Sequence, residues 1–188
     1  MQPTPSQTIG PFFHIALPAN ENIAHIAGPG AEGDALTLIC RVLDAVGAPA
    51  DDAMIELWQA DASGVYNHPD DPRYADHDPA FHGFARMATN AQGACVFQTV
   101  KPGRPADLNG AMQAPHINVS VFARGLMKRA ATRIYFEGDP ANAQDRVLSC
   151  APEQRRSTLL AHRDASQPSL WRFDLHLAGP DETIFFAI

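Results

Sequence analysis

Short runs of apolar, often β-branched residues, each closed by a turn signal, recur along most of this chain. They constrain the fold more than any other feature. Leu36-Thr-Leu-Ile-Cys-Arg-Val-Leu43 is the clearest, and Gly47-Ala-Pro49 ends it. Met54–Gln59, Gly83–Ala88, Ala94–Thr99, His116–Ala123, Thr132–Phe136, Trp171–Ala178 and Thr183–Phe186 follow in the same style. Runs of this length with turns between them specify strands rather than helices. Pro152–Ala161 is the exception: proline and Glu153 in its first turn suit a helix N-terminus. Mainly β is therefore the expected class: one β-sandwich of mixed sheets, with one or two short helices in connections.

The ends and gaps of this pattern divide the chain further. Residues 1–34 are rich in Pro, Gly, Asn and Ala and read as an N-terminal arm; residues 35–188 read as the sandwich domain. Phe12, Phe13, Ile15 and Leu17 give the arm an apolar load, so it is expected to pack on this chain or on a partner. A long loop runs from Asp61 to His82, dense in Asp, Pro and His. Loops of that length inside a compact domain are usually functional.

Bulk chemistry excludes several classes. A net charge of −7 disfavours a nucleic-acid partner. No apolar run is long enough to span a bilayer, and residues 1–7 lack the basic and apolar segments of a secretory signal, so a cytoplasmic protein is expected. Cys40, Cys95 and Cys150 are odd in number and form no CxxC pair, which supports reduced, mostly buried thiols. Their equal spacing does not mark a repeat, because Cys150 runs into a proline and a helical segment. Nucleophile-elbow and nucleotide-loop motifs are missing as well.

The most informative stretch is Ala114-Pro-His-Ile-Asn-Val-Ser-Val-Phe122. Residues two apart in a strand share a face, so His116 and Asn118 point the same way. A second histidine at 118 would give two imidazoles to one metal; an amide is a poor ligand in its place. Tyr66 on the long loop offers a phenolic oxygen, and on residue chemistry alone a packed, hydrogen-bonded tyrosine is the better reading. His68, His77 and His82 share the loop with Asp70, Asp71, Asp76 and Asp78, a composition that suits a divalent metal but equally a solvated loop. Arg133 alternates with apolar residues and can take a carboxylate through its bidentate fork, or form an ordinary ion pair.

Thr4–Pro11, Glu56-Leu-Trp-Gln-Ala-Asp61, Val100-Lys-Pro-Gly103, Ala114–Asn118, Arg133-Ile-Tyr-Phe136 and Arg172-Phe-Asp174 occur in this order, and the set resembles the intradiol ring-cleavage dioxygenases. Some members of that family pair two homologous chains, α and β. The resemblance implies that β holds Fe(III) with two tyrosines and two histidines. Those positions correspond to Tyr66, a site near Pro105, His116 and Asn118, so this chain keeps two vestigial donors and is expected to hold no metal itself. It is expected to act as the α chain in an (αβ)n oligomer, with iron in the β partner and catalytic residues elsewhere. Protocatechuate, a carboxylated catechol, and O2 are the implied reactants, and 3-carboxy-cis,cis-muconate the implied product in aromatic catabolism. Thr8, Gly10, Pro11 and Arg133 are the implied substrate-binding residues. The competing expectations are a non-catalytic β-sandwich binding module and an enzyme with its own metal at His68, His77 or His82.

Overall fold

Leu36, Leu38, Cys40 and Val42 are buried while Arg41 is exposed, and this two-residue alternation makes the first strand, Ala35–Leu43 (β1), one inner wall of the core. The computed structural model describes residues 16–17 and 21–187. The remaining strands are β2 (Met54–Gln59), β3 (Phe84–Ala88), β4 (Ala94–Val100), β5 (His116–Phe122), β6 (Ala130–Phe136), β7 (Leu160–Arg163) and β8 (Leu170–His176).

These eight strands form one continuous sheet in the order β3-β2-β5-β6-β7-β8-β1-β4. The short β7 is the hinge: it runs parallel to β6 and antiparallel to β8. The two halves fold over one another and enclose the core. Leu57, Ile117 and Ile134 come from one half, and Leu38, Phe97 and Phe173 from the other. Parallel pairing of β1 with β8 and of β6 with β7, among otherwise antiparallel neighbours, makes the sheet mixed, as the sequence pattern implies. No helix among the described residues is long and apolar enough to cross a membrane.

Two expectations fail at the C-terminal end. Pro152–Ala161 is not an α-helix: Glu153–Leu159 forms 3-10 turns, and Leu160 already opens β7. The reason is tertiary. Leu159 and Ala161 are both fully buried, and Leu160 and Ala161 pair with Tyr135 and Phe136. Pairing across the hinge outweighs the local helix signals. Thr183–Phe186 is not a strand either, making only an isolated bridge between Phe186 and Ala131. Conversely, Arg146–Cys150 forms a short α-helix (α1) capped by the Asp145 carboxylate, which accepts from the Leu148 amide.

Thr8, Gly10 and Pro11 lie outside the described residues. From Ala24 onward the arm packs on the body: Ile26 is fully buried in the core, and His25 and Ala27 bridge to Gln98 and Phe81. Cys40 and Cys95 are buried and directly opposite in the β1–β4 register, whereas Cys150 is exposed. Burial pushes the Cys95 thiol up to about 12 and the Cys40 thiol well above its usual value, so both stay protonated.

Two glycines bring the loops at one end of the sandwich together. Gly64 has φ +82°, and a methyl group there would collide with the Arg104 carbonyl. A methyl on Gly103 would collide with the Ala62 carbonyl and the Gly64 amide. The Asp61–His82 loop and the Lys101–Pro115 loop are therefore packed backbone against backbone. Gly64→Ala is expected to cost about 2–4 kcal/mol, adding left-handed strain to overpacking. Gly103→Ala is expected to cost about 1–3 kcal/mol through overpacking alone. Urea denaturation checks both; a change below the error of the fit would show that the two loops move apart freely.

Candidate functional site

Strand register places the site on the outer face of the β2-β5-β6 half. Trp58 of β2 is directly opposite Asn118 of β5, and Asn118 is directly opposite Arg133 of β6. Two residues along, His116 is opposite Tyr135. One lateral row thus reads Trp58, Asn118, Arg133, with His116 and Tyr135 on the same face beside it. The inner face of these strands is apolar core, so polar chemistry can gather only on this side.

Asp61 shapes the loop that delivers Tyr66 to this face. Only 2% exposed, its Oδ1 accepts from the Ser63 amide and hydroxyl and from the Val65 amide, while its Oδ2 accepts from the Asp78 amide. Burial alone would raise its pKa, but these hydrogen bonds outweigh burial and hold the carboxyl below its ordinary range. Asp71 then accepts from the Tyr66 amide at 2.9 Å.

At the centre, hydrogen-bond geometry fixes every proton. His116 Nδ1 is 2.8 Å from the Ala114 carbonyl, which can only accept, so Nδ1 carries the hydrogen and Nε2 is a bare acceptor. The Tyr66 hydroxyl, 3.3 Å from Nε2, donates to it. Asn118 Nδ2 donates to the same hydroxyl at 3.1 Å and to the Trp58 carbonyl at 3.3 Å. Burial, helped by the Arg133 charge, lowers the His116 pKa to about 4, so the imidazole is neutral at physiological pH. Burial also raises the Tyr66 phenol, against the Asn118 hydrogen bond and the Arg133 charge. Phenol, imidazole and amide are thus all neutral.

Behind this cluster lies Asp145, 1% exposed and missed by the sequence reading. It accepts from the Tyr135 hydroxyl at 3.0 Å, the Ala114 amide at 2.8 Å and the Leu148 amide at 2.8 Å. These bonds outweigh burial, and its pKa falls below the usual carboxylate range. Ala114 links the two layers, donating to Asp145 and accepting from His116. A cap signal, aspartate before Arg-Val-Leu, was the available clue.

Arg133 donates to Gln113 Oε1 at 2.8 Å and lies 3.5 Å from the Tyr135 hydroxyl. It lines a cavity of about 960 Å³ together with Trp58 and Tyr66, whose rings stack at 5.8 Å and 15°. The other loop histidines go separate ways. His68 meets the Trp58 ring edge-on, His77 contacts the Tyr74 carbonyl, and His82 lies near Gly28. Among the described residues, no three His, Cys, Asp or Glu are gathered as a metal site.

A dioxygenase family model matches residues 9–179. The chain is 41% identical to a protocatechuate 3,4-dioxygenase alpha chain of Burkholderia cepacia, over all of this chain and 98% of that one. The chain belongs to the intradiol dioxygenase family. A second member, the protocatechuate 3,4-dioxygenase beta chain of Burkholderia cepacia, is 35% identical over 80% of this chain and 67% of its own length. Among solved structures, the dioxygenase domain from Streptomyces sp. SirexAA-E matches with a TM-score of 0.64 and 25% identity, covering 95% of this chain and 99% of that one. A catechol 1,2-dioxygenase from Acinetobacter sp. ADP1 shares the fold, with a TM-score of 0.64 at 21% identity over 85% of this chain and 58% of its own.

Intradiol dioxygenases are iron-dependent, but the donors at this site do not suit ferric iron. Pro105 is a proline, with no oxygen donor in its side chain, and Asn118 offers a neutral amide. The remaining imidazole acceptor is already taken by the Tyr66 hydroxyl. A hard trivalent ion needs anionic oxygen, and burial holds the Tyr66 phenol protonated.

Asp61 and Asp145 set an acid limit on this architecture. Their folded pKa values lie below the ordinary unfolded value near 4, so the stability they contribute is complete above that value and lost as pH falls through the folded ones. Asp145→Asn is expected to cost about 1–3 kcal/mol at pH 7 and clearly less at pH 3. Urea midpoints measured from pH 7 to pH 3 test this; an equal cost at both ends would remove the charge from the explanation.

Proposed function

We propose that this chain is the iron-free α partner of a heteromeric intradiol dioxygenase that opens the ring of protocatechuate, with the iron held by a homologous β chain. One observation carries the reading. The Tyr66 hydroxyl is spent on His116 and Asn118, so the residues that the resemblance aligns with metal donors form a closed neutral cluster. The extent of the matches supports it further, because the alpha-chain relative aligns over essentially its whole length and the beta-chain relative over two thirds.

In this reading the chain supplies pocket wall rather than reacting groups. Residues 1–34 act as an arm and residues 35–188 as the sandwich domain. Thr8, Gly10 and Pro11 of the arm lie beside the substrate, where compact backbone allows close approach. Arg133, held on a rigid strand by Gln113, supplies a cation for the substrate carboxylate. Tyr66, His116 and Asn118 keep the wall shaped and unreactive.

The test is to purify the chain alone and after co-expression with a β-type partner. Alone, it is expected to be colourless and inactive. The complex is expected to be red-brown from tyrosinate-to-iron charge transfer and to consume O2 with protocatechuate. Stoichiometric iron and turnover in the lone chain would overturn the reading, and so would a stable complex without activity.

A further inference from the structure

Residues 24–32 do more than lead into β1. Ile26 is fully buried, and its backbone ties β4, one end strand of the sheet, to the residues that enter β3, the other end strand. Its amide donates to the Gln98 carbonyl at 2.9 Å, and its carbonyl accepts from the His82 amide at 2.8 Å. Gly28 donates to the Ala80 carbonyl at 2.7 Å, and a methyl group on Gly28 would stand only 2.8 Å from that oxygen. Glu32 donates its amide to Asp78 Oδ2 at 2.8 Å. All three residues therefore grip the last five positions of the loop that carries Tyr66.

Two short routes lead from that grip to the site. Asn67 Nδ2 donates to the Phe81 carbonyl at 3.0 Å, so the residue after Tyr66 hangs on the gripped end. Asp78 donates its amide to Asp61 Oδ2 at 3.0 Å, and Asp61 in turn fixes Ser63 and Val65. Just beyond the grip, Gly83 has φ +81°, and a methyl group there would stand 3.3 Å from the Trp58 ring. In the middle of the loop the amides of His68, Asp71, Tyr74 and His77 bond back within the loop. That leaves the two ends and Tyr66 itself to attach it. The first end is packed on Arg104 at Gly64, and the second is gripped by residues 26–32.

We propose that residues 24–32 are a strap that holds the Tyr66 cluster closed, so that strap and site loop open as one unit while the strands stay folded. Opening parts the Phe81 carbonyl from Asn67 and releases the Tyr66 hydroxyl from His116 Nε2. Segments that share their hydrogen bonds in this way open cooperatively, at lower cost than the whole fold. Thr8, Gly10 and Pro11 precede the strap in the chain, so a second chain that holds the arm also tightens the cavity wall here. The coupling itself goes beyond the subunit reading and needs neither iron nor a partner.

The experiment is amide hydrogen exchange of the full, metal-free chain, followed residue by residue by NMR at rising sub-denaturing urea. The amides of Ile26, Gly28, His82, Tyr66 and Asp78 are all hydrogen-bonded, so each reports its own opening. They are expected to share one urea dependence and one opening constant within about twofold, and to exchange about a hundredfold faster than the amides of β1 and β5. Gly28→Ala, which crowds the Ala80 carbonyl, is expected to speed exchange about tenfold at Ile26 and Tyr66 alike, with β1 and β5 unchanged. Separate openings for strap and loop in the native chain would overturn the proposal, as would exchange of both only with the whole fold. Faster exchange at Ile26 without faster exchange at Tyr66 in the variant would overturn it too. The native-chain measurement decides the matter even if the variant misfolds. A failure here leaves the colour and activity of the complex unaffected, so it is distinguishable from failure of the subunit reading.

Discussion

One hydrogen bond governs the character of this site: the Tyr66 hydroxyl donating to His116 Nε2. It is possible only because the Ala114 carbonyl takes the Nδ1 proton and forces the other nitrogen to be an acceptor. The same hydroxyl accepts from Asn118, so its donor and an acceptor position are both occupied within the protein. A phenol in that setting has little reason to ionise, and a buried imidazole near a guanidinium has little reason to protonate. The cluster is therefore structural, a satisfied neutral network of the kind that buried polar groups require.

The rest of the fold serves to hold that geometry. Register across β2, β5 and β6 sets Trp58, Asn118 and Arg133 in one row, and a slip of one residue would turn all three into the core. Asp61 clamps the loop that brings Tyr66 over the row. Gly64 and Gly103 let that loop pack against the next one. Asp145 ties the start of β5 to α1 and to Tyr135. Two buried carboxylates, each held by several hydrogen bonds, thus anchor the two sides of the neutral Tyr66–His116–Asn118 cluster.

Much of this was legible in the sequence, for local reasons. The alternation of Leu36, Leu38, Cys40 and Val42 marks β1 without any tertiary knowledge, and strand periodicity alone places His116 and Asn118 on one face. Tyr66 and Arg133 emerged from residue chemistry combined with family resemblance, and register brings both to the same face. The misses are nonlocal. Leu160 and Ala161 fall at the end of the expected helix Pro152–Ala161 and join β7 only because β6 and β8 flank them. Thr183–Phe186 has strand composition but gains only one bridging partner. Asp145 acts through residues 31 positions upstream and 10 positions upstream, which no window reveals. The cross-strand pairing of Cys40 with Cys95 is invisible for the same reason.

The protonation of His116 is the most direct test of the account. Nitrogen-15 NMR of the labelled full chain should show a neutral, Nδ1-protonated imidazole that persists from pH 8 down to about 5 and is not broadened by added ferric citrate. An imidazolium forming near pH 6.5, or paramagnetic loss of the His116 signal on addition of iron, would contradict the claim that Tyr66, His116 and Asn118 form a closed neutral cluster.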